Sequence, residues 1–297
     1  MPRSTAKFHP LNQSCFYAVQ SRAVLAERFG LTRKTLDDVL SAEHPYSERT
    51  LTETRKGKKK TRLIQEPRGA LRPIHATVMK ALSRIAPPDF LFCPVKRRSY
   101  VDNAAQHIGA KEIRTLDIKA YFPSTPRHRV YWFFLHVMRC SPDVASILAQ
   151  LLTVNGHLAT GSTVSPILSF FAFYDMWQAI AEIAKEAGCK LTVYIDDVTL
   201  SGEAVPERVA WQVRQKIHSR GLIYHKEKHY TGGTGEVTGA LIKDGAMQVP
   251  NRQRKKAHEA RTRLAAAINE SEAAQITSVL RGLAEQRKQV ERASTRR

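Results

Sequence analysis

Two rhythms of apolar positions run along this chain, one helical and one alternating. Leu11, Phe16, Val19, Val24, Leu25 and Phe29 recur at mostly helical spacing before Gly30, which predicts a helix over 11–29 and a second short one over 31–40. Pro and Gly punctuation predicts a hairpin within 51–75, followed by a helix over 73–85. A short strand is expected at 113–118, then a turn at Pro123–Ser124 and helices over 126–138, 142–153 and 165–186. The runs LTVYI (191–195) and VTLSG (198–202), separated by Asp196–Asp197, predict a hairpin. A helix over 205–219 follows, and GALI (239–242) with AMQV (246–249) predicts a second hairpin through Lys243–Asp244–Gly245. After Pro250 the pattern is Ala-rich and helical, so Pro250 is the best domain edge.

Composition narrows the function. Of 297 residues 42% are hydrophobic, ample for a core. Lys plus Arg number 47 against 27 Asp plus Glu, a net charge of +20. Such self-repulsion calls for a polyanion, with nucleic acid the leading partner and an anionic membrane surface the runner-up. The sequence shows no signal-peptide pattern and no apolar run near the roughly 18 residues of a membrane span, so a cytoplasmic protein without a membrane partner is expected. Cys15, Cys93, Cys140 and Cys189 are widely separated and no HExxH occurs, which leaves carboxylates as the source of any metal chemistry. The stretch 51–75 holds eight Lys or Arg, compatible with a solvated loop as well as with a nucleic-acid contact.

Alternation along LTVYIDD puts Leu191, Val193 and Ile195 on one strand face and Tyr194 and Asp196 on the other, with Asp197 in the turn. Adjacent carboxylates resist ionising together unless a divalent cation neutralises them, although Asp also favours turns for its own hydrogen-bonding reasons. A second strand-end acid, Asp117, precedes the aromatic pair Tyr121–Phe122. Two such carboxylate sites suit a pair of magnesium ions in phosphoryl transfer.

The segments LDIKAYFPST (116–125), GSTVSPILSFF (161–171), VYIDDVTLSG (193–202), GLIYHKEK (221–228) and VTGALI (237–242) occur in the order of the palm motifs of reverse transcriptases. More narrowly, NAAQH (103–107) and VTG (237–239) resemble signatures of bacterial retron reverse transcriptases. The resemblance covers roughly residues 50–250. It implies an α+β fold with right-hand polymerase architecture: N-terminal helices and fingers over 1–90, a palm with a small antiparallel sheet over 91–249, and a basic helical thumb over 250–297.

Carried over residue by residue, the resemblance makes Asp117, Asp196 and Asp197 the catalytic acids. With the Ile118 carbonyl they would hold two Mg2+ ions, for which Mn2+ could substitute. Lys228 would protonate departing pyrophosphate, an exposed lysine in a charged loop being the alternative. Arg62, assisted by Lys60 or Lys58, would clamp the incoming triphosphate, and the backbone N–H groups of Ala120 and Tyr121 would cradle it. Phe122 would exclude a ribose 2′-hydroxyl. Gly161, Ser165 and Pro166 would lie beneath the nascent base pair, with Thr160 standing where the family usually has Gln. Asn103 and His107 would contact RNA or stabilise the local fold. Val237, Thr238 and Gly239 fall with them among the expected RNA-contacting positions, as do Arg254, Lys255 and Lys256 of the thumb.

The implied function is a retron-type RNA-directed DNA polymerase. It would bind its cognate structured noncoding RNA, prime from an internal RNA 2′-hydroxyl, and use dNTPs to make short RNA-linked DNA through an RNA–DNA hybrid. A separately encoded effector or toxin would accompany it in antiphage defence. A group II intron-like or diversity-generating reverse transcriptase, or an RNA-binding scaffold with the polymerase fold, are the other readings.

Overall fold

The computed structural model describes residues 8–43, 45–55 and 58–294, with the side chains of 53–55, 58 and 60 outside that description. In chain order the elements are α1 (Arg22–Arg28), α2 (Arg33–Leu40), β1 (Tyr46–Arg55), β2 (Lys58–Pro67), α3 (Leu71–Leu82), β3 (Leu91–Cys93), α4 (Tyr100–Ala105) and β4 (Glu112–Ile118). They continue with α5 (Arg127–Trp132), α6 (Pro142–Leu151), β5 (Thr153–Val154), β6 (His157–Leu158), α7 (Ser165–Ala172), α8 (Tyr174–Glu186), β7 (Lys190–Tyr194), β8 (Asp197–Gly202) and α9 (Glu207–His218). The last are β9 (Tyr224–Tyr230), β10 (Gly235–Val237), β11 (Ala240–Lys243), β12 (Ala246–Gln248), α10 (Asn251–Ala265) and α11 (Glu270–Ser294).

Several predicted helices are subdivided for local reasons. The 11–29 segment is a 3-10 turn at Leu11–Gln13 and then α1, because Ala18 takes a positive φ of 54° and the Ser21 side chain caps the Val24 N–H. The 126–138 segment closes in a π-helical turn, Phe133–Val137. The 165–186 segment breaks at Phe173, whose φ of −114° and ψ of 30° leave the helical region. The DG turn of β11–β12 forms as expected, with Asp244 and Gly245 both at positive φ. Strands β3, β5, β6, β9 and β10 have no counterpart in the predicted elements.

The central sheet has five strands in the order β3-β7-β8-β4-β9, antiparallel except for the β3–β7 pair. One face carries Leu116, Ile118, Leu191, Val193, Val198 and Leu200 into the larger core, where Phe133, Phe134, Phe173 and Trp177 are fully buried. The other face is unusual for a buried sheet surface, since its central positions are hydroxyl-bearing: Thr192, Thr199 and Ser201 are each 1% exposed. Buried hydroxyls need partners. His107, just beyond α4, supplies two of them, with Nδ1 2.7 Å from Ser201 Oγ and Nε2 2.7 Å from Thr192 Oγ1.

Beside that polar strip lies a second, smaller core of Val101, Ala104, Ile108, Ile113, Val237, Ala240, Ile242, Met247, Val249 and Val290. Val290 belongs to α11, and the Met247 N–H donates to Ser294 Oγ at 2.9 Å. Pro250 therefore opens α10 without separating two cores, because α11 returns to pack on α4 and β12.

Candidate active site

Sheet register assembles the acids. Asp117 on β4 pairs with Asp197 on β8, Asp197 pairs with Tyr194 on β7, and Asp117 pairs on its other side with Lys226 on β9. A row Tyr194, Asp197, Asp117, Lys226 thus crosses four strands on the face of the small core. One step deeper runs the row Thr192, Thr199, Thr115, Lys228. Period-two geometry makes Asp117 and Thr115 neighbours on that face, and Lys226 and Lys228 likewise.

The turn between β7 and β8 differs from expectation by one residue. Its two members are Ile195 and Asp196, while Asp197 already belongs to β8. Ile195 has a φ of 58°, where a β-branched residue costs about 1–3 kcal/mol. Two contacts hold it there: its side chain packs on the larger core, and the Ile118 N–H donates to the Asp196 carbonyl at 2.9 Å. Asp196 is consequently fixed beside the end of β4.

Electrostatics mark these carboxylates as crowded. Burial first, then the charges of Asp196 and Asp117, push Asp197 up to about 7, against the opposing pull of Lys226 and Lys228. Burial, together with Asp117, also raises Asp196 above the usual carboxylate range, with His225 and Arg62 acting the other way. Lys226 Nζ lies 3.5 Å from Asp117 Oδ2 and His225 Nδ1 3.4 Å from Asp117 Oδ1. Among the described residues no three His, Cys, Asp or Glu side chains already converge as a closed metal cage. The donor set still suits a hard divalent cation, because three carboxylates whose charges oppose one another gain most from a positive ion between them.

A pocket of about 270 Å3 opens next to the acids, lined by Asp117, Asp197, Tyr194, Lys226, Lys228, Thr238 and Gly239 among others. Arg252 of α10 closes one side through a bidentate pair with Glu236, at 2.5 and 2.6 Å. Lys228, Thr238 and Gly239 therefore line the same pocket as Asp117 and Asp197. His225 and Lys226 were not among the predicted site residues; the polar string HKEK carries no apolar alternation to fix its register.

Other predicted site residues fall into three groups. Phe122 is half-buried with its ring 6.2 Å from that of Tyr121, and Ala120 is exposed at a φ of 49°. In this turn the N–H groups of Lys119 and Ser124 donate to the carbonyls of Ile223 and Ala120, whereas among the described residues those of Ala120 and Tyr121 have no protein acceptor. The Tyr121 ring itself is buried, its hydroxyl donating to the Ser169 carbonyl at 3.0 Å. Arg62 is exposed on β2 and its charge reaches Asp196. Arg254, Lys255 and Lys256 are exposed on α10, and Pro166 is partly exposed at the start of α7. The side chain of Lys60 lies outside the described residues, as does that of Lys58.

A second group is buried. Ser165 is fully buried and its hydroxyl donates to the Ala159 carbonyl at 2.6 Å, so it braces the loop before α7 and does not face a substrate. Asn103 is 1% exposed and His107 0%, so both side chains are spent inside the protein. Asn103 Nδ2 donates to Thr238 Oγ1 at 3.3 Å and Thr238 in turn to the Tyr100 carbonyl at 2.8 Å, tying α4 to the 237–239 turn. Val237 is likewise wholly inside the small core. Of the two roles open to Asn103 and His107, the geometry supports the local structural one.

The third group is Gly161. A Cβ there would stand 2.7 Å from Glu66 Cγ, 2.8 Å from the Gln65 carbonyl and 2.9 Å from Ile64 Cγ2, so only glycine lets this segment lie against β2.

A carboxylate row at the end of a mostly antiparallel sheet, beside a strained two-residue turn, is chemically suited to holding divalent cations for nucleotidyl transfer. Residues 54–238 match the family model described as reverse transcriptase (RNA-dependent DNA polymerase), and the chain belongs to that family. It is 30% identical over 186 residues to the retron Se72 reverse transcriptase of Salmonella heidelberg, covering 62% of this chain and 49% of that protein. It is 28% identical over 211 residues to the retron Ec86 reverse transcriptase of Escherichia coli, covering 69% and 65% respectively. With the retron Mx65 reverse transcriptase of Myxococcus xanthus it shares 28% over 207 residues, covering 61% and 48%. The match spans about half to two thirds of the length of these relatives.

Proposed function

We propose that this chain is a retron-type RNA-directed DNA polymerase with residues 1–90 as fingers, 91–249 as palm and 250–297 as thumb. The observation that carries the reading is the cross-strand row of Asp197 and Asp117 with Asp196 at the adjoining turn, in a chain of this family. Asp117, Asp196 and Asp197 would hold two divalent cations, Mg2+ by the hardness of the donors, with the Ile118 carbonyl as a further oxygen. When bound, such ions activate an attacking hydroxyl and neutralise a departing pyrophosphate.

The chain's own groups do the rest. Arg62 holds the triphosphate from the fingers side with a guanidinium fork suited to two phosphate oxygens. The N–H groups of Ala120 and Tyr121, without an acceptor among the described residues, would donate to the same anion from below. Phe122 fills the space a ribose 2′-hydroxyl would need, selecting dNTPs. Lys228, beside Asp197, stands ready to give a proton to the leaving group. Thr238 and Gly239 border the same pocket and would touch the priming strand, and the basic face of α10 would follow the RNA–DNA hybrid.

The product on this reading is short single-stranded DNA joined to a cognate structured RNA through a 2′-hydroxyl of that RNA, made in the bacterial cytoplasm. A separately encoded effector in antiphage defence would be its partner. To test this, the protein is purified from cells with its nucleic acid, treated separately with RNase and DNase, and run on a denaturing gel. A discrete short DNA that shortens with RNase and vanishes in Asp196→Asn/Asp197→Asn supports the proposal. RNA alone, unchanged in that variant, replaces it with the scaffold reading, and dispersed cDNA replaces it with another reverse transcriptase lineage.

A further inference from the structure

Hairpin β1–β2 carries Arg62 over the site, yet a two-stranded ribbon is marginal by itself and cannot place a side chain without anchorage. Its anchorage is visible on both strands. At the root of β1, Tyr46 donates its hydroxyl to the Leu151 carbonyl at 3.2 Å beside His75, whose Nδ1 is 2.6 Å from Ser162 Oγ and whose Nε2 is 2.8 Å from the Leu151 carbonyl. On β2 the edge facing away from β1 is occupied by the segment 160–161. Thr160 Oγ1 donates to the Leu63 carbonyl at 2.5 Å and accepts from the Gln65 N–H at 3.2 Å. The Gly161 N–H donates to the Gln65 carbonyl at 3.0 Å. One hydroxyl therefore closes a free donor and a free acceptor on the strand edge, one residue away from Arg62.

We infer that Thr160 is a positioning residue: its hydroxyl latches the edge of β2 to the sheet-bearing body and thereby holds Arg62 at the distance from Asp196 that triphosphate binding requires. The inference rests on the polymerase reading and deepens it. It also gives a physical sense to Thr at a place where the resemblance leads one to expect Gln. The short branched side chain is spent on the backbone of β2, and its two bonds use the hydroxyl's donor and one of its acceptor sites.

Thr160→Val keeps the shape and removes both bonds; Thr160→Ser keeps them. With a primed RNA template and single-dNTP incorporation as the readout, Thr160→Val is expected to raise KM for dNTP about tenfold while kcat changes less than about twofold. Thr160→Ser is expected to restore the wild-type KM. The Arg62→Ala/Thr160→Val double variant should be no worse than Arg62→Ala, since the latch acts only through Arg62. A Thr160→Val KM equal to wild type, a loss confined to kcat, or additive effects in the double variant would each overturn the assignment.

Hydrogen exchange separates failure of the latch from failure of the polymerase reading. The Gln65 amide should exchange faster in Thr160→Val than in the wild type, and Thr160→Ser should protect it. An unchanged Gln65 rate overturns the latch whether or not the protein polymerises. A faster rate in Thr160→Val, when the wild-type protein incorporates no dNTP at all, leaves the latch standing and rejects the polymerase.

Discussion

Lys226 faces Asp117 across the β4–β9 ladder with its ammonium 3.5 Å from the carboxylate, while Lys228, two residues on, faces Thr115. Two lysines on one strand face are thereby given different jobs. Both line the pocket beside the acids, but Lys226 balances a carboxylate in its own ladder pair, whereas Lys228 has a threonine opposite it.

Lys228→Ala is accordingly expected to lower kcat about 100-fold and to shift the alkaline limb of the pH–rate profile, as removal of a general acid does. Lys226→Ala, which breaks a partly solvated ion pair, should cost less than about tenfold. Single-turnover incorporation across pH 6 to 9 distinguishes the two. Equal losses in both variants would remove the division of labour.

Burial holds His107 down at about 3 and, together with a Leu151 contact that opposes it, His75 at about 4. Both are neutral in the folded protein at neutral pH. Because the folded state binds fewer protons than the unfolded one, their contribution is fully present above pH 6.5 and is lost as pH falls toward those values. Each histidine therefore costs about 1.4 kcal/mol of stability per pH unit below 6.5. Urea unfolding at pH 7, 6 and 5 should show a shallower acid loss in His107→Gln than in the wild type. Opposite contributions from acids such as Asp197 cancel in that difference.

Asn103→Leu removes the donor that Thr238 receives inside the protein and should destabilise the fold by about 1–3 kcal/mol. RNA affinity of the folded protein should stay within about twofold. A weakened RNA Kd at unchanged stability would instead mean that RNA reaches Asn103 directly.

The exposed cations of α10 should set the salt dependence of RNA binding. Replacing Arg254, Lys255 and Lys256 together with Ala is expected to flatten the slope of log K against log salt by about two units, near 0.7 to 0.9 for each phosphate that is no longer neutralised. Fluorescence anisotropy between 50 and 300 mM salt would measure it. An unchanged slope would place the RNA elsewhere on the protein.

What could be read from the sequence was local chemistry with a strong pattern. The strand ending in Asp117, the hairpin around Asp196 and the DG turn at Asp244–Gly245 all have apolar alternation or turn residues to announce them. Strand β9 had neither: in YHKEKHY most side chains face solvent, so nothing in the string says that Lys226 will pair with Asp117. The same limit misplaced Asp197 in the turn, because only the register with Tyr194 shows that Ile195 takes the strained position. Asn103 and His107 stand four residues apart in the sequence, but their burial depends on hydroxyls contributed by β7 and β8 some 85 to 94 residues later, and on Thr238, 135 residues away. Contacts of that span leave no local trace.

The return of α11 to the small core changes how the basic arm can move. A lever swings about one fixed end, but here α10 departs from β12 at Pro250 and α11 comes back to it, with Val290 buried and Ser294 bonded to Met247. Both feet of the arch are planted beside the same three-stranded sheet. If this arch follows a duplex as proposed, adjustment to its width would fall to the elbow around 266–269, where the helix is interrupted. The sheet that anchors both feet also carries, at the β10–β11 turn, Thr238 and Gly239, which line the pocket beside the acids.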